Sequence, residues 1–255
     1  MRNSFFERRD DSRPLPIVDD HINNGRLWLL FIYPIVLIIS VVLISERLSA
    51  GHDWLIFFIL SLIPTCLFLG GYWLISGQSP WKLFQHVSLK EWGYTGLLFI
   101  AQIIYSIITP KILLVFGDKT VGNPNATALL GSHKWPIFFI QAFNNLFQLM
   151  DEEFLGIFIF LAMTAILIQQ FHLSRNTAIW GSLFISMIAF GLAHFAVYNW
   201  NLPQMLLVIG VARIFMTGSY LHSKSIWTAF VMHYLFDTSG YLIVTMFSSF
   251  IPHLH

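Results

Sequence analysis

Charge is what this sequence has least of. Asp, Glu, Lys and Arg make up 11% of its 255 residues, and the formal net charge is +1; a soluble domain carries roughly a quarter charged residues. No dense basic patch occurs, so a nucleic-acid partner is excluded. Cysteine is nearly absent too: Cys66 stands alone in an apolar run, which rules out a disulfide framework and predicts a buried spectator thiol. Internal repeats, Gly- or Ser-rich linkers and a soluble domain are also missing. The opening stretch "MRNSFFERRDDSRPLPIVDDHINNGR" is polar, mixed in charge and runs straight into an apolar segment, unlike a cleavable signal. What remains is apolar: 56% hydrophobic residues and a mean hydropathy of +0.68. This predicts an all-α polytopic bundle of about seven to eight transmembrane helices in a lipid bilayer.

The apolar runs fall at Leu27–Ile44, Trp54–Ile75, Gly93–Phe116, Pro136–Phe171, Thr177–Tyr198, Pro203–His222 and Ser225–Ile251. They divide the chain into an N-terminal tail (1–26), a first set of helices and loops (27–135) and a second set (136–255). Pro136–Phe171 is longer than a ~30 Å hydrocarbon core requires. It is one long tilted helix or two pieces joined near Asp151, and the last run offers a second break at Thr238-Ser239-Gly240. The loop Gly117–Trp135 is turn-forming and expected to be exposed. With seven spans and the N-terminus inside, nine cations (Arg2, Arg8, Arg9, Arg13, Arg26, Lys82, Lys90, Arg175, Lys224) face three (Arg47, Lys119, Lys134) across the membrane. That split follows the positive-inside rule and predicts a cytoplasmic N-terminus. The composition suits an integral protein of a bacterial cytoplasmic membrane.

Few ionisable residues fall inside these runs. They are Asp151, Glu152 and Glu153 together, then His194, Arg213, His233 and Asp237, with Lys111 near enough to an end to snorkel. A buried ionisable group is tolerable only with a partner or a wet cavity, so each is a candidate functional residue. In "FGLAH" and "HYLFD" the pairs Phe190/His194 and His233/Asp237 are four apart and share a helix face. Asp237 is placed to orient His233, or both to address one substrate atom. Gly156, one turn after Glu152, leaves room for a water or an approaching backbone. Asn144, Asn145 and Gln148 extend the polar face and read as the wall of an aqueous cavity.

This ordered set resembles the CAAX-protease and bacteriocin-processing (CPBP, or Abi) family of intramembrane proteases. That family's pattern is E-E-x-x-x-R, F-x-x-x-H, then H-x-x-x-N or H-x-x-x-D, matched here by Glu152-Glu153, Phe190 with His194, and His233 with Asp237. The resemblance covers about Phe138 to Tyr241 and makes 136–255 a catalytic core. One position departs: where the family has its first-motif Arg, this chain has Ile157. Arg213, the remaining interior cation, is expected to supply that charge from another helix; the alternative is a purely structural pairing with backbone or Asp151.

The resemblance implies an intramembrane endopeptidase acting on a peptide or membrane-protein substrate, with catalytic residues Glu152, Glu153, His194, His233 and Asp237. Arg213, Phe190 and Asn145 would support them. Glu152 would be the base, Glu153 would pair with the cation, and Asp151 would be the most replaceable of the three acids. An Asp at position 237 donates a hydrogen bond only when protonated, which leaves His233 as the oxyanion donor. Two His and a carboxylate (Glu152, His194, His233) can also ligate zinc, but no H-E-x-x-H occurs, and a mechanism without cofactor is favoured. A non-catalytic alternative is a membrane scaffold or bacteriocin-immunity protein that binds a peptide or a membrane-protein partner. A proton-coupled transporter is a third option, though inverted repeats are not visible.

Overall fold

The computed structural model describes residues 5–8, 10–48 and 54–248. Expectations that fall on Arg2, Arg9 and the end of the last run at Ile251 lie outside the described residues. The chain is an all-α bundle, with no strand among the described residues. Its helices are α1 (Asn24–Leu48), α2 (Trp54–Ser76), α3 (Leu89–Val115), the short α4 (Pro124–Ala128), α5 (Lys134–Gln169), α6 (Arg175–Ala193), α7 (Val211–Ser223) and α8 (Ile226–Phe247).

The long apolar run is one unbroken helix. α5 has 36 residues, about 54 Å at 1.5 Å each, and neither Asp151 nor its neighbours interrupt it. Its second half is buried all round, from Phe154 to Ile166, as a helix without a polar stripe must be. Helices α1, α2, α6 and α8 pack around it. Phe68 and Tyr72 of α2 meet Phe158 with ring centroids 6.0 and 5.3 Å apart.

Helix ends follow local chemistry. Ser88 and Glu91 cap α3 reciprocally in a capping box. The Ser174 side chain accepts from the Thr177 N–H at the start of α6. At the far end α6 stops at Ala193, five residues short of the expected Tyr198. The chain then turns through Asn199 and Trp200, both left-handed at φ 49° and 59°. It resumes as a π-helical segment, Gln204–Gly210, that leads into α7. α8 runs through Thr238-Ser239-Gly240 without the expected break.

Among the described residues, four helical segments are long and apolar enough to cross a membrane: Asn24–Ile44, Leu89–Val115, Arg175–Ala193 and Gln204–Ser223. These helices make the chain an integral membrane protein. Cys66 is exposed on α2 rather than buried; a thiol is apolar enough to face lipid.

The N-terminal segment folds across one end of the bundle. Phe6, Leu15, Ile17, Val18 and Ile22 are buried, and the Phe6 ring packs where a side chain on Gly218 would sit. Glu7 accepts from Lys224 Nζ at 2.7 Å and from Arg175 Nη2 at 2.8 Å. Arg8 and Arg13 both pair with Glu91 at the start of α3.

Candidate active site

Three consecutive acids on a helix point about 100° apart, so each addresses a different neighbour. The structure gives each one a partner. Asp151 accepts from the Thr65 hydroxyl of α2 at 2.5 Å and faces away from the other two. Glu152 accepts from Gln148 Nε2 at 3.1 Å and turns toward α6. Glu153, fully buried, turns toward α7 and α8.

Glu153 meets Arg213 in a two-pronged pair: Nη1 donates to Oε1 at 2.7 Å and Nη2 to Oε2 at 2.8 Å. Arg213 is 1% exposed. Its Nε donates to Thr217 Oγ1 one turn on, at 3.1 Å, and its guanidinium carbon lies 5.3 Å from the centre of the Phe190 ring. A planar fork of this kind suits a buried carboxylate better than a lysine would. The space beside Gly156 belongs to this group: a Cβ there would run into the guanidinium. The expected opening for a water or a backbone is therefore filled by Arg213.

Glu153 also fixes a histidine. His233 Nδ1 donates to Glu153 Oε1 at 2.8 Å, so its Nε2 faces Glu152 Oε2 at 3.8 Å and Asp237 Oδ2 at 4.0 Å. The hydrogen bond that orients this ring thus comes from Glu153, and Asp237 lies on the opposite, Nε2 side. His194 caps the C-terminus of α6 rather than sitting inside a span. Its Nδ1 donates to the Phe190 carbonyl at 2.8 Å, satisfying one of the free carbonyls that end a helix. A carbonyl oxygen only accepts, so Nδ1 carries the proton, and Nε2 is the atom facing Glu152 Oε2 at 3.6 Å. Phe190 supports both rings, its centroid 4.9 Å from His194 and 6.2 Å from His233.

Glu152, both His Nε2 atoms and Asp237 therefore converge, while Arg213 and Glu153 sit behind His233. Asp151 lies outside this cluster. Asn145 is on the same face of α5 two turns before Glu152; it is buried and contacts none of these groups through a hydrogen bond. Among the described residues no group of three or more His, Cys, Asp or Glu could hold a metal ion. The side chains of His194, Glu152 and Asp237 remain 18%, 14% and 27% exposed, so the cluster is not sealed.

Residues 134–239 match the family model described as Rce1-like, type II CAAX prenyl endopeptidase. That stretch of the chain is similar to the Rce1-like family. No curated protein and no solved structure matches the chain. The matched stretch opens at the first residue of α5 and closes two residues after Asp237, so it spans every residue of the cluster. The resemblance read from the motifs over Phe138 to Tyr241 is borne out. Rce1-like proteins are generally proteases.

Sequence reasoning missed several residues of this site. Thr217 was signalled only by its spacing of four from Arg213. Tyr198, buried and 6.2 Å from His194 by ring centroids, looked like the end of a span. Gly191 and Gly210 each lie three residues before a site residue, His194 and Arg213. A Cβ on Gly191 would collide with the Met205 carbonyl oxygen, and one on Gly210 would lie 2.8 Å from that of Met187. These glycines let α6 and the π-helical segment approach backbone to backbone, one turn from the site.

Proposed function

We propose that the chain is an intramembrane endopeptidase that hydrolyses a peptide bond of a membrane-associated substrate, with Glu152 as general base and no metal. One observation carries this reading. His194 and His233 both have Nδ1 committed elsewhere, and both turn Nε2 toward Glu152 Oε2, at 3.6 and 3.8 Å. Those separations are too long for direct hydrogen bonds and suit a water held among the three groups. Glu152 takes one proton from that water while His194 Nε2 fixes its orientation. The resulting hydroxide adds to the substrate carbonyl carbon, and the carbonyl oxygen becomes an oxyanion. His233, protonated at Nε2 and held by Glu153 and Arg213, donates to that oxyanion. Glu152 then returns its proton to the leaving amine as the C–N bond breaks, which closes the balance. Asp237 lies beside that imidazole, its Oδ2 4.0 Å from His233 Nε2.

The Rce1-like match supports a prenylated C-terminal segment as substrate, and a membrane-protein or leader-peptide substrate fits the same site. Removing a positioned base or oxyanion donor costs about 10²-fold or more in turnover. Glu152→Gln, His194→Ala and His233→Ala should each abolish cleavage in detergent while the protein stays folded. Metal chelators should leave the rate unchanged. Near-wild-type activity in all three variants would instead support the binding role of an immunity or scaffold protein.

The same reading puts the N-terminus in the cytoplasm of a bacterial cell, because Arg8, Arg13, Lys82 and Arg175 gather at the end covered by the N-terminal segment. In a Cys66→Ser background, Thr120→Cys should react with an impermeant maleimide added outside intact cells and His86→Cys should not. The opposite labelling pattern would invert the orientation.

A further inference from the structure

The polar face of α5 continues beyond Glu152. Gln141, Asn145, Gln148 and Glu152 recur at intervals of four, three and four, so they form one stripe along the helix. Gln148 is engaged with Glu152. The two outer members are not satisfied. Asn145 is 3% exposed and its Nδ2 meets no acceptor. Gln141 donates through Nε2 to the Asn125 carbonyl of α4 at 3.0 Å, while its buried Oε1 meets no donor. On α8, which packs against α5, the Thr238 hydroxyl beside Asp237 is likewise buried without a partner. The Tyr234 hydroxyl, donating to the Ala142 carbonyl at 3.1 Å, fastens the two helices together at this level.

Buried polar atoms are normally paired, and each exception calls for a cause. Here a carboxamide N–H, a carboxamide oxygen and a hydroxyl are left over along one seam that begins at the base. That is the complement of a peptide backbone, which offers carbonyls and N–H groups in turn. The length fits as well: Glu152 to Gln141 spans eleven residues of helix, about 16 Å, or roughly five residues of extended chain. The outer end meets α4, where an open cleft of about 570 Å³ lies between Pro124, Thr127 and Ala128 on one side and Ala196 and Val197, just past His194, on the other.

We infer, resting on the peptidase reading above, that this seam is a backbone-binding subsite. The substrate lies extended along α5 from the scissile bond toward α4. One substrate carbonyl accepts from Asn145 Nδ2, and one N–H farther out donates to Gln141 Oε1. Recognition there is of the main chain, so the subsite takes peptides of varied side chains provided the segment is extended. Thr238 completes whichever group faces α8.

The probe is a mixed pool of quenched fluorescent decapeptides given to the full-length protein in detergent. One cleaved member is then remade with its amides replaced singly by esters. An ester removes the N–H and weakens the carbonyl. At one position within about five residues of the cut, it should lower kcat/KM about tenfold in the wild type, the scale of a single hydrogen bond. Asn145→Leu should raise KM about tenfold with kcat little changed, and should be indifferent to the ester at that position. Because Leu removes an orphaned polar group, its Tm should not fall; Thr238→Val serves as the second variant with the same expected split. Equal ester sensitivity in the wild type and Asn145→Leu, or unchanged KM in both variants, would overturn the subsite while leaving the peptidase intact. If the wild type cleaves nothing in the pool and Glu152→Gln binds nothing from it, the peptidase reading fails and the subsite falls with it.

Discussion

A two-pronged ion pair closed off from water behaves as one unit, and Arg213 with Glu153 is such a unit. Removing one member of a buried pair costs about 3–5 kcal/mol, because the other is left charged without compensation. In this site the damage reaches chemistry as well, since Glu153 is also what holds His233 Nδ1. Arg213→Ala should therefore lower both Tm and cleavage rate. Arg213→Lys should recover less than its charge suggests, because an ammonium cannot match both carboxylate oxygens. A rescue is available on α5 itself. Ile157 is fully buried one turn beyond Glu153, and the volume beside Gly156 that the guanidinium vacates lies next to it. Ile157→Arg in the Arg213→Ala background should return part of the activity. Turnover and Tm of the single and double variants decide the matter; full activity in Arg213→Ala would mean that Glu153 is stabilised by something else.

At the scale of helices, the contrast between two glycines tests whether the site depends on a close backbone crossing. Gly70 in α2 has open space where a Cβ would go, so Gly70→Ala should gain up to about 1 kcal/mol of helix propensity. Gly191→Ala makes the same change of type in α6, but there the Cβ meets the Met205 carbonyl. The helix and the π-helical segment must separate, carrying His194 away from Glu152. Gly191→Ala should thus lose Tm and at least about tenfold in turnover, as misplacement of a catalytic group does, whereas Gly70→Ala keeps its rate. Equal behaviour of the two would show that the crossing does not position His194. This scale also explains what could be read in advance. Hydropathy located the helices, and the spacing of motifs within α5, α6 and α8 located the converging residues. It could not end α6 at Ala193, because "FAVY", the stretch up to Tyr198, is as apolar as the helix before it, and the left-handed backbone at Asn199 and Trp200 marks the turn. Nor could it show α5 continuous, since a run of three acids is tolerable in a helix only if three different neighbours receive them. Thr65, His194 and Arg213 do so, and each lies 41 or more residues from Asp151-Glu152-Glu153 in the chain.

For the molecule as a whole, the least legible feature was the N-terminal segment, which reads as a polar tail but packs as part of the bundle. Its anchor is a contact between residues 217 positions apart: Glu7 with Lys224, neither side chain exposed. No local pattern announces such a pair. The anchor has a pH signature. Burial alone would raise the Glu7 carboxyl, but the hydrogen bonds and charges of Arg175 and Lys224 outweigh it and lower the pKa from 4.5 to about 2. A carboxylate whose folded pKa is depressed contributes stability that is complete above its unfolded pKa and is lost as pH falls toward the folded one. The contribution of Glu7 is therefore constant above pH 4.5 and disappears between pH 4.5 and about 2. Glu7→Gln removes the titration while keeping the shape, although Lys224 then stays buried with its principal acceptor neutral. The Tm difference between wild type and Glu7→Gln, measured in detergent, should be largest and level from pH 5 to 7. It should shrink steadily as the pH is taken below 4.5, because protonation makes the wild type resemble its variant. A difference that stays constant down to pH 2.5 would show that the segment is held by Phe6, Leu15 and Ile17 without help from the ion pair.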